Sequence, residues 1–155
     1  CVCVSMCLWA QDDPEWQRRA LSSLSSVLQK IIPDNPGTDS PGAAKFADMV
    51  GGAFDATSPF TPESYDAAAL IMLAMQAANS AEPSDYKSKV MDVANAPGEL
   101  IYPGELGKAL DILAAGGEID YVGATAVELI GPGESAGNYR QIEVSGGKIS
   151  TVKYR

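Results

Sequence analysis

Histidine is absent from the 155 residues. That removes the side chain whose ordinary pKa lies near neutrality. With it go an imidazole general base, Ser-His-Asp catalysis and the common zinc sites. Any chemistry would fall to carboxylates, Lys, Tyr or Cys. Cysteine is confined to Cys1, Cys3 and Cys7. The odd number leaves one thiol over if the others bridge, Cys1 and Cys3 are too close for a relaxed bridge, and no second Cys or His cluster completes a metal site. Cations are also scarce: 11 Lys and Arg stand against 20 Asp and Glu, for a formal net charge of −9. Nucleic-acid phosphates and anionic membrane surfaces both attract clustered cations, so neither is an expected partner. The most apolar run, after Asp66, is shorter than the ~20 residues a membrane-spanning helix needs.

That run belongs to the most informative stretch of the chain, Thr61 to Ala78. Thr61 suits an N-cap, and Pro62 suits the first helical position, where its missing N–H costs nothing. Glu63 and Asp66 place negative charge near the positive end of the helix dipole. Beyond Asp66 only Gln76 breaks the apolar run before Asn79. A surface helix carries one apolar stripe. Here the back is Ala, so the expectation is a central helix of an α/β layer, buried on more than one face, with a Tyr65-Asp66 pair at its mouth.

Around it, Asp13 to Ile32 has the spacing of an amphipathic helix, with Leu21, Leu24, Val27, Leu28, Ile31 and Ile32 recurring. Pro33 to Gly42 is dense in turn residues. A short helix from Ala43 to about Phe54 places Phe46, Met49, Val50 and Phe54 on one face. Ser84 suits the cap of a helix over 85–94 with Tyr86, Val90 and Val93 inward. Pro97-Gly98-Glu99-Leu100 reads as a turn. Pro103-Gly104-Glu105-Leu106 starts a helix that ends at Gly116-Gly117. Strands are expected over 126–130, 139–144 and 149–154, the last two joined by a hairpin turn at 145–148. Gly131-x-Gly133-x-x-x-Gly137 fails as a phosphate loop: the spacing is wrong, Pro132 removes an N–H, and a strand follows.

The chain does not begin with Met. Cys1 to Ala10 has the apolar character of the tail of a secretory signal, but no basic segment precedes it and Leu8 is larger than the residue preferred two positions before Ala10. A lipidated Cys1 is a second reading. An arbitrary start within a longer protein is the third and the favoured one.

The order of elements resembles the C-terminal part of the branched-chain amino-acid, Leu/Ile/Val-binding type of substrate-binding protein of ABC transporters. The residues that carry the likeness are Ser64-Tyr65-Asp66-Ala67-Ala68 opening a long apolar helix, and Pro97-Gly98-Glu99 with Pro103-Gly104-Glu105. Lys108-Ala109-Leu110 then leads to Ala115-Gly116-Gly117, followed by Ile119-Asp120-Tyr121-Val122-Gly123-Ala124-Thr125 and the closing strands around Gly146-Gly147-Lys148. The likeness covers about Asn35 to Tyr154; residues 1–34 fall outside it as an atypical N-terminal segment.

The resemblance implies an α/β chain, part of a periplasmic-binding-protein type I fold, helix-rich with a short C-terminal antiparallel strand pair. It implies a C-terminal fragment of the solute-binding component of an ABC importer for amino acids or related small polar solutes. Such a protein is exported to the periplasm or cell envelope, takes a small-molecule solute, hands it to a membrane permease, and uses no cofactor. Gly131 to Asn138 would lie near the last crossing between lobes, where glycine suits backbone rotation during closure. The position matching Tyr65 lines the cleft in the family, and a phenol offers a solute an apolar face and a hydroxyl. Asp66 is the neighbouring ligand-binding candidate, for an ammonium group, or else a helix cap. The residues that hold the solute's charged groups fall outside the resembling part, so the chain alone is expected not to bind it. The alternative is an autonomous helical protein-interaction module without ligand binding. An enzyme is disfavoured, since no carboxylate pair or activated nucleophile stands out.

Overall fold

A computed structural model of the chain describes residues 34–131, 133–145 and 148–155. The expected helix over 13–32 and the three cysteines lie outside these residues, as does the centre of the 145–148 turn. Residues 35–140 with 154–155 form one compact unit, and Gln141–Lys153 belongs to a second.

In the first unit, helix α1 spans Pro41–Val50. Its start lies slightly before the expected Ala43, because Ser40 is the cap: its hydroxyl accepts from the Ala43 N–H at 3.3 Å, and Pro41 fills the first turn. Gly51, left-handed at φ 59°, closes the helix with an N–H to the Ala47 carbonyl. Of the expected apolar face, Phe46 is buried, whereas Met49 and Phe54 are exposed.

Helix α2 occupies Thr61–Ala78, the expected span. Its cap differs. Thr61 is already helical, and the N-cap is Phe60 in a left-handed conformation without a side-chain cap bond. The Phe60 carbonyl takes the Ser64 N–H at 2.9 Å and the Ser64 hydroxyl at 2.6 Å. Asn79, also left-handed, ends the helix with its N–H on the Gln76 and Met75 carbonyls. Burial is on a single stripe of Asp66, Ala69, Leu70, Leu73 and Ala74, while Ile71 and Met72 are 45% and 49% exposed. This corrects the expectation of burial on several faces: in this unit α2 packs against the helices that follow it, and Ile71 and Met72 lie off the buried stripe.

Those helices are α3 (Pro83–Tyr86), α4 (Lys89–Ala94) and α5 (Leu106–Ala114). A single helix over 85–94 does not form. The Ser88 hydroxyl bonds the Asp85 carbonyl at the break, a local partner that competes with helical hydrogen bonding. Val93 and Ala94 are buried, and Tyr86 and Val90 pack partly against the same core.

Strand β2 is Glu99–Ile101 and strand β3 is Ile119–Tyr121. They pair in parallel, Glu99 opposite Ile119 and Ile101 opposite Tyr121, with α5 as the crossover. The expected turn at 97–100 is thus partly strand. Three residues are too short to show a period, and Glu99 and Leu100 point to solvent while Ile101 is fully buried. Ile101, Ile119 and Tyr121 complete the core beneath Leu70 and Leu73. Complete burial of a side chain such as Leu73 contributes about 1.5–3 kcal/mol.

Strand β4 (Leu129–Gly131) is the end of the strand expected over 126–130, whose first residues lie in turn and irregular backbone, and it pairs antiparallel with a short β5 (Glu134–Ser135) inside the expected 131–137 loop. The Asn95 side chain imitates a neighbouring strand for β4. Its amide donates to the Leu129 carbonyl at 2.7 Å, and its oxygen accepts the Leu129 N–H at 3.0 Å. Strands β1 (Asp34–Pro36), β6 (Tyr139–Ser145) and β7 (Lys148–Tyr154) form a sheet in the order β1-β6-β7. Tyr139 and Arg155 exchange both backbone hydrogen bonds, at 3.0 and 2.8 Å, as an antiparallel pair does.

Candidate functional site

Tyr65 and Asp66 are adjacent on α2 and therefore about 100° apart around it. They serve different places. Asp66 turns inward and is 2% exposed. Oδ1 accepts the Tyr121 hydroxyl at 2.9 Å and the Ala124 N–H at 2.8 Å. Oδ2 accepts the Thr125 N–H at 2.8 Å and the Thr125 hydroxyl at 2.7 Å. A carboxylate offers about four acceptor positions, and all are taken. This corrects both roles expected of Asp66. It has no lone pair left for an ammonium group, and it caps the loop after β3 rather than its own helix.

The surroundings are shaped to this carboxylate. Gly123 stands at φ 62°, and a Cβ there would run into Asp66 Oδ1 and the Tyr121 ring. A Cβ on Gly42 would overlap the Gly123 carbonyl, so α1 also approaches this loop closely. Burial first, then the negative charge of Asp66, raises the Tyr121 phenol above its ordinary value of 10.0. The phenol therefore stays protonated and remains a donor.

Tyr65 points to the other side and is half-buried. Its ring lies 5.1 Å from that of Phe46, tilted by 44°. Its hydroxyl oxygen receives the Gly104 N–H at 3.4 Å and has no acceptor for its own proton among the described residues. Nearby on the 102–105 turn, Glu105 accepts the Tyr102 N–H at 2.9 Å, and that bond holds its carboxyl below the usual range. Lys45 of α1 lies 4.1 Å from the Tyr102 ring centre and 3.7 Å from Glu105. Two phenols, an ammonium and a carboxylate thus share one rim, the mixture of apolar face and polar group that orients a small polar solute. The sequence pointed to Tyr65 but not to Lys45 or Tyr102, whose only signal is proximity to the Pro103-Gly104 turn.

Over 73 residues the chain is 38% identical to the "Chemotactic signal transduction system substrate-binding protein BasB" of Halobacterium salinarum. The match covers 46% of this chain and spans 18% of that protein's length. No protein-family model matches the chain. No solved structure matches it. Part of the chain is therefore similar to a protein named for binding a substrate.

Two outcomes test the Asp66 arrangement. Replacing Asp66 by Ala strands four donors, and denaturant melting is expected to show a loss of at least about 3 kcal/mol. A loss below about 1 kcal/mol would contradict the geometry. The raised Tyr121 phenol gives stability that is complete below pH 10. That stability is lost as pH rises through the folded value, because the unfolded chain ionises first. Melting temperature should therefore fall above pH 10, and fall less in Tyr121→Phe. Equal alkaline slopes in the two proteins would count against it.

Proposed function

We propose that these residues are part of the solute-binding component of an ABC importer for amino acids or related small polar solutes. The observation that carries this reading is the 38% identity over 73 residues to a substrate-binding protein. The parallel β2-α5-β3 unit and the long helix beside it are consistent with one lobe of a periplasmic-binding-protein type I fold. In this reading the protein is exported to the periplasm or cell envelope. It performs no catalytic step, and it closes on its solute before presenting it to a membrane permease.

Tyr65 is the residue assigned to the solute. Its ring is fixed by Phe46, its hydroxyl proton is uncommitted, and Tyr102 and Lys45 stand on the same rim. A branched-chain amino acid is the favoured solute class, since a phenol meets both an aliphatic side chain and a polar head. The remaining walls of the cleft would come from chain outside these 155 residues. The relative's name places it in chemotactic signalling, so a membrane signal transducer is a second partner class for the same binding step.

Isothermal titration with leucine, isoleucine, valine and small amides checks this. The chain of 155 residues is expected to show no micromolar binding. The product of its full reading frame is expected to bind at least one of them, and Tyr65→Ala there should weaken binding at least about tenfold, or 1.4 kcal/mol. Failure of the longer product to bind any of them, or indifference to Tyr65→Ala, would remove the reading.

A further inference from the structure

Among the described residues three lysine ammonium groups pair with carboxylates, and one pair differs from the others. Lys89 donates to Asp92 at 3.0 Å, and Lys108 is in direct contact with Glu99. Lys45 is 3.7 Å from Glu105, too far for a hydrogen bond. Its ammonium lies over the Tyr102 ring instead, 4.1 Å from the ring centre. A ring face attracts an ammonium through its quadrupole and leaves N–H donors for other partners. The Lys45 side chain is 46% exposed, so a solute can reach it.

Glu105 does not depend on Lys45. Its Oε2 takes the Tyr102 N–H at 2.9 Å, the chief reason its carboxyl is held low, and Lys108 also favours its charge. The carboxylate therefore stays satisfied when Lys45 turns to another anion. A second donor stands close by. The Tyr65 hydroxyl takes the Gly104 N–H in an exposed bond and has no acceptor for its own proton among the described residues. Gly104 lies between Tyr102 and Glu105, and Phe46, whose ring meets that of Tyr65, follows Lys45 on α1. Lys45 and Tyr65 thus flank one turn. That turn follows directly on Ile101, at the carboxyl end of β2, which is the end of a parallel sheet where ligands bind.

From this we infer that Lys45 reads the carboxylate of the solute, with the Tyr65 hydroxyl as a second donor, so that the rim selects carboxylate-bearing solutes over their neutral amides. The inference rests on the proposed solute-binding role of the rim at Tyr65 and narrows its solute class. A carboxylate brings only acceptors, and its bond to an ammonium is charge-assisted. An amide offers the same two donors a single neutral oxygen and turns N–H groups of its own toward them. The contact is additional to those expected from walls outside these residues. Lys45 is in this account the residue that sets the preference, and Tyr102 positions it.

The test is isothermal titration of the product of the full reading frame with leucine, isoleucine and valine beside leucinamide, isoleucinamide and valinamide. Each amino acid and its amide carry the same ammonium, so Glu105 meets the same charge and only the carboxylate differs. The preferred amino acid is expected to bind at least about tenfold tighter than its amide. Lys45→Met should weaken the amino acid at least about tenfold and the amide less than about twofold, while Lys45→Arg keeps most of the preference. Melting temperature should change little in Lys45→Met, since an exposed ion pair contributes little to stability. The inference fails, with the solute-binding reading intact, if the amide binds as well as the amino acid. It fails in the same way if Lys45→Met weakens both ligands equally or neither. Failure of the parent to bind any of the six removes the reading, and this inference with it.

Discussion

The Asp66 carboxylate is the interaction on which the described unit depends. Helix α2 supplies one charged group, the last residue of β3 supplies one hydroxyl donor, and the segment after β3 supplies three more donors, two of them backbone N–H groups. Those N–H groups lie where the chain leaves the parallel pair, so no sheet ladder can satisfy them. Buried backbone donors need partners. A helix side chain here does what a strand does elsewhere, and the same bonds offset the cost of burying its charge. Because Ala124 and Thr125 are held against α2, Gly123 and Gly42 can meet closely, and α1 is brought alongside.

Once α2 is fixed in this way, its register decides what each neighbouring position does. Asp66 faces inward, and Tyr65 faces Phe46 and the 102–105 turn. Ile71 and Met72 remain outside the packed stripe. Neighbouring positions of one helix thus carry a structural carboxylate and a candidate solute residue. Asn95 acts on the same principle at smaller scale, lending its amide to β4 where backbone partners run out.

Local features were well legible in the sequence. The span of α2, the helix beginning at Leu106 and the closing strands follow from proline and glycine breakers and from alternation. What depends on distant partners was not. The bonds of Asp66 reach 55 to 59 residues along the chain, and nothing near Asp66 signals Tyr121 or Thr125. The buried stripe of α2 was hidden because Ala, Leu, Ile and Met occupy the exposed positions too, which erases the contrast that identifies a face. Strand β2 was missed because three residues carry no period. Tyr65 was singled out by its place in a motif, whereas Lys45 and Tyr102 join it only through folding.

Amide hydrogen exchange read residue by residue tests the role of Asp66 most directly. If its oxygens hold the loop after β3, the Ala124 and Thr125 amides will exchange as slowly as that of Val122, which is bonded to the Ile101 carbonyl. Exchange at those two amides as fast as at exposed Gly133, with Val122 still protected, would contradict the account.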